Sequence, residues 1–106
     1  MAEWSLMTKR IRPSKFALVF DPGTEDECRV PFSLSEADLD DAIDYGRVER
    51  DDPFDVQLSR CAYHMVMELR VCDDERIFER PWVVVRSGSI IAWNHLAMGV
   101  TEADLE

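Results

Sequence analysis

Apolar residues follow two rhythms along this chain. Residues 15–20 (KFALVF) form a short β-prone run that Asp21-Pro22-Gly23 closes, because Pro and Gly preset the dihedrals of a turn. Cys28–Phe32 (CRVPF) alternates well enough for a second strand, and Pro31, which has no amide to donate, assigns that strand to a sheet edge. The pair reads as a hairpin. Near the other end, Trp82–Arg86 (WVVVR) and Ser89–Trp93 (SIIAW) flank Ser87-Gly88, where glycine suits a tight turn, and these form a second hairpin. Ile77 and Phe78 are predicted to begin its first strand early, with Pro81 interrupting the pairing.

Between the hairpins the rhythm becomes helical. A first helix starts at Ser35, whose hydroxyl can accept from the amide near Asp38, while Leu34 and Leu39 occupy the positions of a hydrophobic staple. Ser33 with Glu36 is the alternative cap. Leu39, Ala42 and Ile43 make a narrow apolar stripe, and Gly46 is a natural left-handed terminator. A second helix is predicted over residues 53–71, with Asp52 as cap, Pro53 in the first turn and Asp55 near the positive end of the dipole. Phe54, Leu58, Cys61, Ala62, Met65, Leu69 and Cys72 fall on one face of it, the expected core. Val56, Tyr63, Met67 and Val71 cluster almost opposite. A helix with two apolar faces either lies between layers of its own domain or shows one face to another molecule, so these four residues are candidates for self-association as a homodimer. From Asn94 onward only a single frayed turn is expected, although Thr101 and Asp104 imitate a capping box.

The order ββααββ predicts a small α+β domain, with an antiparallel sheet of about four strands in two hairpins packed on two helices. At 106 residues there is room for one such domain, placed at residues 15–106, behind a flexible basic arm at residues 1–14. No apolar run approaches the roughly 20 residues that span a bilayer. The N-terminal residues lack the apolar stretch of a signal peptide and the three cysteines are odd in number, so a reducing, cytoplasmic location is expected.

Charge is the unusual property. Asp and Glu number 22 against 12 Lys and Arg, for a formal charge of -10. Lys9, Arg10, Arg12 and Lys15 against Glu3 make residues 1–15 net positive, so the remaining body is more acidic still. Such a body repels nucleic acid and anionic membrane and suits basic protein surfaces. A GC-rich or salt-adapted genome accounts for the bias equally well. The acids concentrate at Glu36, Asp38, Asp40, Asp41, Asp44, Glu49, Asp51, Asp52 and Asp55, opposed within that stretch only by Arg47 and Arg50. Glu36, Asp40 and Asp44 stack like charges at i, i+4, which costs a few tenths of a kcal/mol per pair. The stretch is not an EF-hand: with Gly46 at loop position six, Ile43 and Tyr45 fall where oxygen ligands are needed.

Reactive constellations are sparse. Cys28, Cys61, His64 and Cys72 are the one metal-like set, with Cys61 and His64 three apart on the second helix, yet paired short-spaced knuckles are absent and buried thiols explain the cysteines without any ion. His64 or His95 beside Cys28 or Cys72 could form a thiol–imidazole pair, but no nucleophile elbow or glycine-rich phosphate loop accompanies them. The expected function is therefore non-enzymatic and free of cofactor. It is a protein-binding inhibitor or immunity-type protein whose nine acids, as a nucleic-acid mimic, engage a basic protein surface, of which a nucleic-acid-binding complex is one example. A viral, phage-encoded anti-defence (anti-CRISPR-like) protein and an antitoxin are concrete versions. A small Cys/His metal-dependent regulator or enzyme, and a self-associating structural subunit, are the alternatives.

Overall fold

FALVF and WVVVR are apolar at nearly every position, the pattern of strands covered on both faces. In the computed structural model, which describes residues 16–105, they lie side by side at the centre of a four-stranded antiparallel sheet. β1 (Phe16–Phe20) pairs with β2 (Cys28–Phe32) on one side and with β3 (Trp82–Arg86) on the other, and β4 (Ser89–Trp93) completes the order β2-β1-β3-β4. The basic arm at residues 1–14 lies outside the described residues. Pro31 sits on the edge strand β2, opposite Ala17 of β1, the placement in which a residue without an amide is tolerated. Ser87 and Gly88 both have positive φ, at 50° and 81°, which matches the twist of the β3–β4 hairpin. A bulge at Ile91 shifts the register, so that Val85 faces Ile90 while Val84 faces Ala92.

Among the described residues, three helices cover one face. α1 (Glu36–Asp44) begins at Ser35, whose Oγ accepts from the Asp38 amide at 3.1 Å while Asp38 accepts from the Ser35 amide at 2.9 Å, and past its end Gly46 takes φ +77°. α2 (Phe54–Met67) is shorter than the period predicts. Leu69 turns left-handed at φ +62°, and the Arg70 amide reaches back to the Met65 carbonyl, ending the helix before residue 71. Leu69 is consequently exposed and Cys72 only half-buried, while Val66 and Gln57 join Leu58, Cys61, Ala62 and Met65 in the interior. Pro53 is itself the cap residue. The Asp52 carboxylate instead accepts from the Glu49 amide at 3.4 Å. Ile77 and Phe78 do not extend β3; they belong to a one-turn helix, α3 (Arg76–Glu79), where Ile77 is buried and its carbonyl accepts from the Trp82 indole at 2.9 Å.

On this face Phe16, Leu18, Phe20, Trp82 and Val84 of the sheet pack with Leu39, Leu58, Cys61, Ala62, Val66 and Ile77. Val19, Val83 and Val85 point the other way. They are covered by the C-terminal segment, which is not a frayed turn. It runs as two 3₁₀ turns, His95–Ala97 and Glu102–Leu105, and packs Ala97, Val100 and Leu105 on the valines. Each valine so covered is worth roughly 1.5–3 kcal/mol against exposure. The segment also touches the β1–β2 turn, where a Cβ on Gly23 would stand 2.8 Å from the Asp104 carbonyl oxygen.

Asn94 steers the chain from β4 into that segment. It is buried; its Oδ1 accepts from the Trp82 amide at 3.2 Å and the Ala97 amide at 3.1 Å, and its Nδ2 donates to the Arg80 carbonyl at 2.8 Å. Removing a partner of buried backbone groups costs about 1–3 kcal/mol per stranded group. Asn94→Ala is therefore expected to lower the unfolding free energy by about 3 kcal/mol, read from the urea midpoint.

Candidate protein-docking face

The acidic stretch is held from inside by apolar residues. Leu39 and Ala42 are buried and Ile43 half-buried, so at 100° per residue the opposite side of α1 carries Asp40, Asp41 and Asp44, all exposed. The segment leading to α2 is pinned by buried Val48 and by buried Gln57, whose Nε2 donates to the carbonyls of Glu49 at 3.2 Å and Arg50 at 3.0 Å. Exposed Glu49 and Asp51 are thus carried on a fixed backbone, with Asp55 in the first turn of α2.

Eight of the nine acids divide by what they touch, and the ninth, Asp40, is exposed on α1. Asp38 pairs with Arg70 at 2.8 Å and Asp52 faces Arg60 at 4.0 Å, both half-buried, as is Glu36 in the first turn of α1. Asp41, Asp44, Glu49, Asp51 and Asp55 are exposed and form no salt bridge with any described residue.

Where the end of α1 meets the last turns of α2, a cleft of about 230 Å³ opens between Asp41 and Tyr45 on one side and His64 and Glu68 on the other. Arg47 forms an ion pair with Glu68 and sits 5.6 Å from the centroid of the Tyr45 ring, which is 75% exposed. Ala42, Cys61 and Met65 supply apolar lining. Cys61 is buried and its thiol donates to the Asp38 carbonyl at 3.6 Å; burial, and then the nearby Asp38 charge, push its pKa up to about 11. A thiol so held is neither a ready nucleophile nor a ready metal ligand.

The cysteine–histidine set does not assemble. Cys61 and His64 border the cleft, whereas Cys72 lies near Asp74 and Arg76, and Cys28 also neighbours that arginine. Among the described residues no three His, Cys, Asp or Glu side chains are grouped to hold a metal ion. The Cys72 thiol is also raised, by burial first and then by Asp74. His95 is exposed in the C-terminal segment. Of the apolar residues on the second face of α2, Tyr63, Met67 and Val71 are half-buried against the main core, with the Tyr63 ring 5.7 Å from that of Trp82; Val56 is half-exposed. Most of that face is covered from within the chain.

The sequence signal for Gln57 is a polar residue on the interior side of an amphipathic helix, one turn before Cys61, which marks a buried hydrogen-bonding role. Tyr45 and Glu68 carry no such local signal, because their meeting depends on how two helices pack.

Cys61 supplies a pH signature. Its folded pKa lies above the ordinary 9.0, so the native state holds the proton longer than the unfolded chain; the contribution is full below pH 9 and is lost as pH rises toward about 11. Wild-type stability is expected to fall across that window, and Cys61→Ala to flatten the fall, in urea titrations at stepped pH. No helix among the described residues is long and apolar enough to cross a membrane. Comparison of the chain with protein-family models, with curated proteins and with solved structures finds no match.

Proposed function

We propose that this protein is a non-enzymatic binding protein that docks its acidic face, residues 36–55, against the basic surface of another protein and blocks it. The observation that carries the reading is the set of exposed carboxylates, Asp41, Asp44, Glu49, Asp51 and Asp55, without a salt-bridge partner among the described residues and mounted on a backbone fixed by Leu39, Val48 and Gln57. Negative charge fixed in place before encounter steers association with a cationic groove and sets its orientation. Grooves of that kind hold nucleic acid, so the partner class is a nucleic-acid-binding complex or a basic toxin, and the action is inhibition by occupancy. The three cysteines are free thiols, in keeping with action in a reducing, cytoplasmic compartment.

Binding of a fluorescent peptide of mixed arginine and lysine, followed by anisotropy, tests the reading. Reversing Asp40, Asp41 and Asp44 to lysine is compared with reversing Glu25, Asp26 and Glu79, three exposed acids elsewhere, which alters net charge equally. The first variant is expected to lose at least about tenfold in affinity, about 1.4 kcal/mol, while the second changes far less and circular dichroism shows both folded. Affinity is expected to drop on raising salt from about 20 to about 200 mM. Equal losses in the two variants would show that only total charge matters and would overturn the docking face.

A further inference from the structure

We infer that the cleft between the end of α1 and the last turns of α2 seats one arginine side chain of the basic partner, its guanidinium on the Asp41 carboxylate beside the Tyr45 ring. This rests on the docking face above and names the point at which it is anchored.

The cleft's own charges are mostly matched. Arg47 is paired with Glu68 and Arg70 with Asp38, which leaves Asp41, on the cleft wall, as the carboxylate without a described partner. One turn further along α1 comes Tyr45, with three quarters of its surface exposed. An exposed phenol ring next to an unmatched carboxylate is a setting for a cation, and a planar guanidinium exploits it better than an ammonium: it can pair bidentately, it stacks on rings, and it sheds water more easily. Ala42 and Met65 offer apolar surface for the methylene stem.

The chain supplies a precedent for this chemistry within the same cleft. Arg47 already combines a carboxylate, Glu68, with the Tyr45 ring at 5.6 Å. Size limits the occupant: about 230 Å³ is below the roughly 300–1,000 Å³ of a small-molecule pocket and suits a single inserted side chain. Centrally placed Tyr–Arg contacts of this type recur among the residues that dominate protein interfaces.

Nona-arginine and nona-lysine peptides, equal in charge, test the inference against the wild type and against Asp41→Asn, Asp44→Asn, Tyr45→Ala and Tyr45→Phe. The arginine peptide is expected to bind the wild type about 3-fold tighter than the lysine peptide, the size of one exposed cation–π contact. Tyr45→Ala should remove that preference and Tyr45→Phe should keep it, while Asp41→Asn should weaken the arginine peptide more than Asp44→Asn does. Equal binding of the two peptides, a preference that survives Tyr45→Ala, or equal effects of the two asparagine variants would overturn the arginine seat and leave the docking face standing. If neither peptide binds the wild type at low salt, the docking face falls and the seat falls with it.

Discussion

Everything in this fold answers to one constraint: its two inner strands are apolar on both faces and need cover on both. Phe16, Leu18, Phe20, Trp82 and Val84 look toward the helices, and Val19, Val83 and Val85 look away. A sheet with helices on one side alone leaves three valines in water, so the C-terminal segment has to return across the back. Asn94 makes that return specific by answering two amides and a carbonyl that the departing chain leaves inside. The α+β class is thus completed by a third layer without regular structure beyond two short turns.

The same division of labour explains how so acidic a stretch stays ordered. Like charges along α1 oppose the helix, and the capping box at Ser35 and Asp38, with the ion pair from Asp38 to Arg70, works in the other direction. These stabilising contacts sit at the ends and on the inner side, and on the outer side Asp41 and Asp44 form no salt bridge with any described residue. Gln57 extends the arrangement into the connection, holding Glu49 and Arg50 by their carbonyls so that their side chains are not needed for the fold. Carboxylates that a fold does not consume are the ones available for recognition.

Much of this was legible from local chemistry. Pro31 marked an edge strand, Ser87-Gly88 a tight turn, Ser35 with Asp38 a cap and Gly46 a terminator, because each signal acts through the residue's own backbone or its immediate neighbours. What escaped was set by partners distant in sequence. Nothing local tells Leu69 to adopt a left-handed backbone, a conformation that glycine takes at far lower cost, or turns Ile77 and Phe78 from strand into a helical turn under Trp82. The apolar residues beyond Asn94 were too few to read as an element, although the unbroken WVVVR run did imply that something must lie on its back. The candidate face was readable as a run of acids. The cleft beside it, which needs Tyr45 and Glu68 to meet across two helices, was not.

The position of β1 carries a consequence for how the protein is made. Its outer neighbour β2 follows within a short turn, but its inner neighbour β3 is more than sixty residues downstream. During synthesis the first hairpin therefore lacks the inner partner of β1 until β3 has emerged. Such distant pairing slows folding, since the intervening segment must be looped before any reward is collected. What has to be looped is the acidic middle of the chain, whose like charges oppose contact between two copies of it.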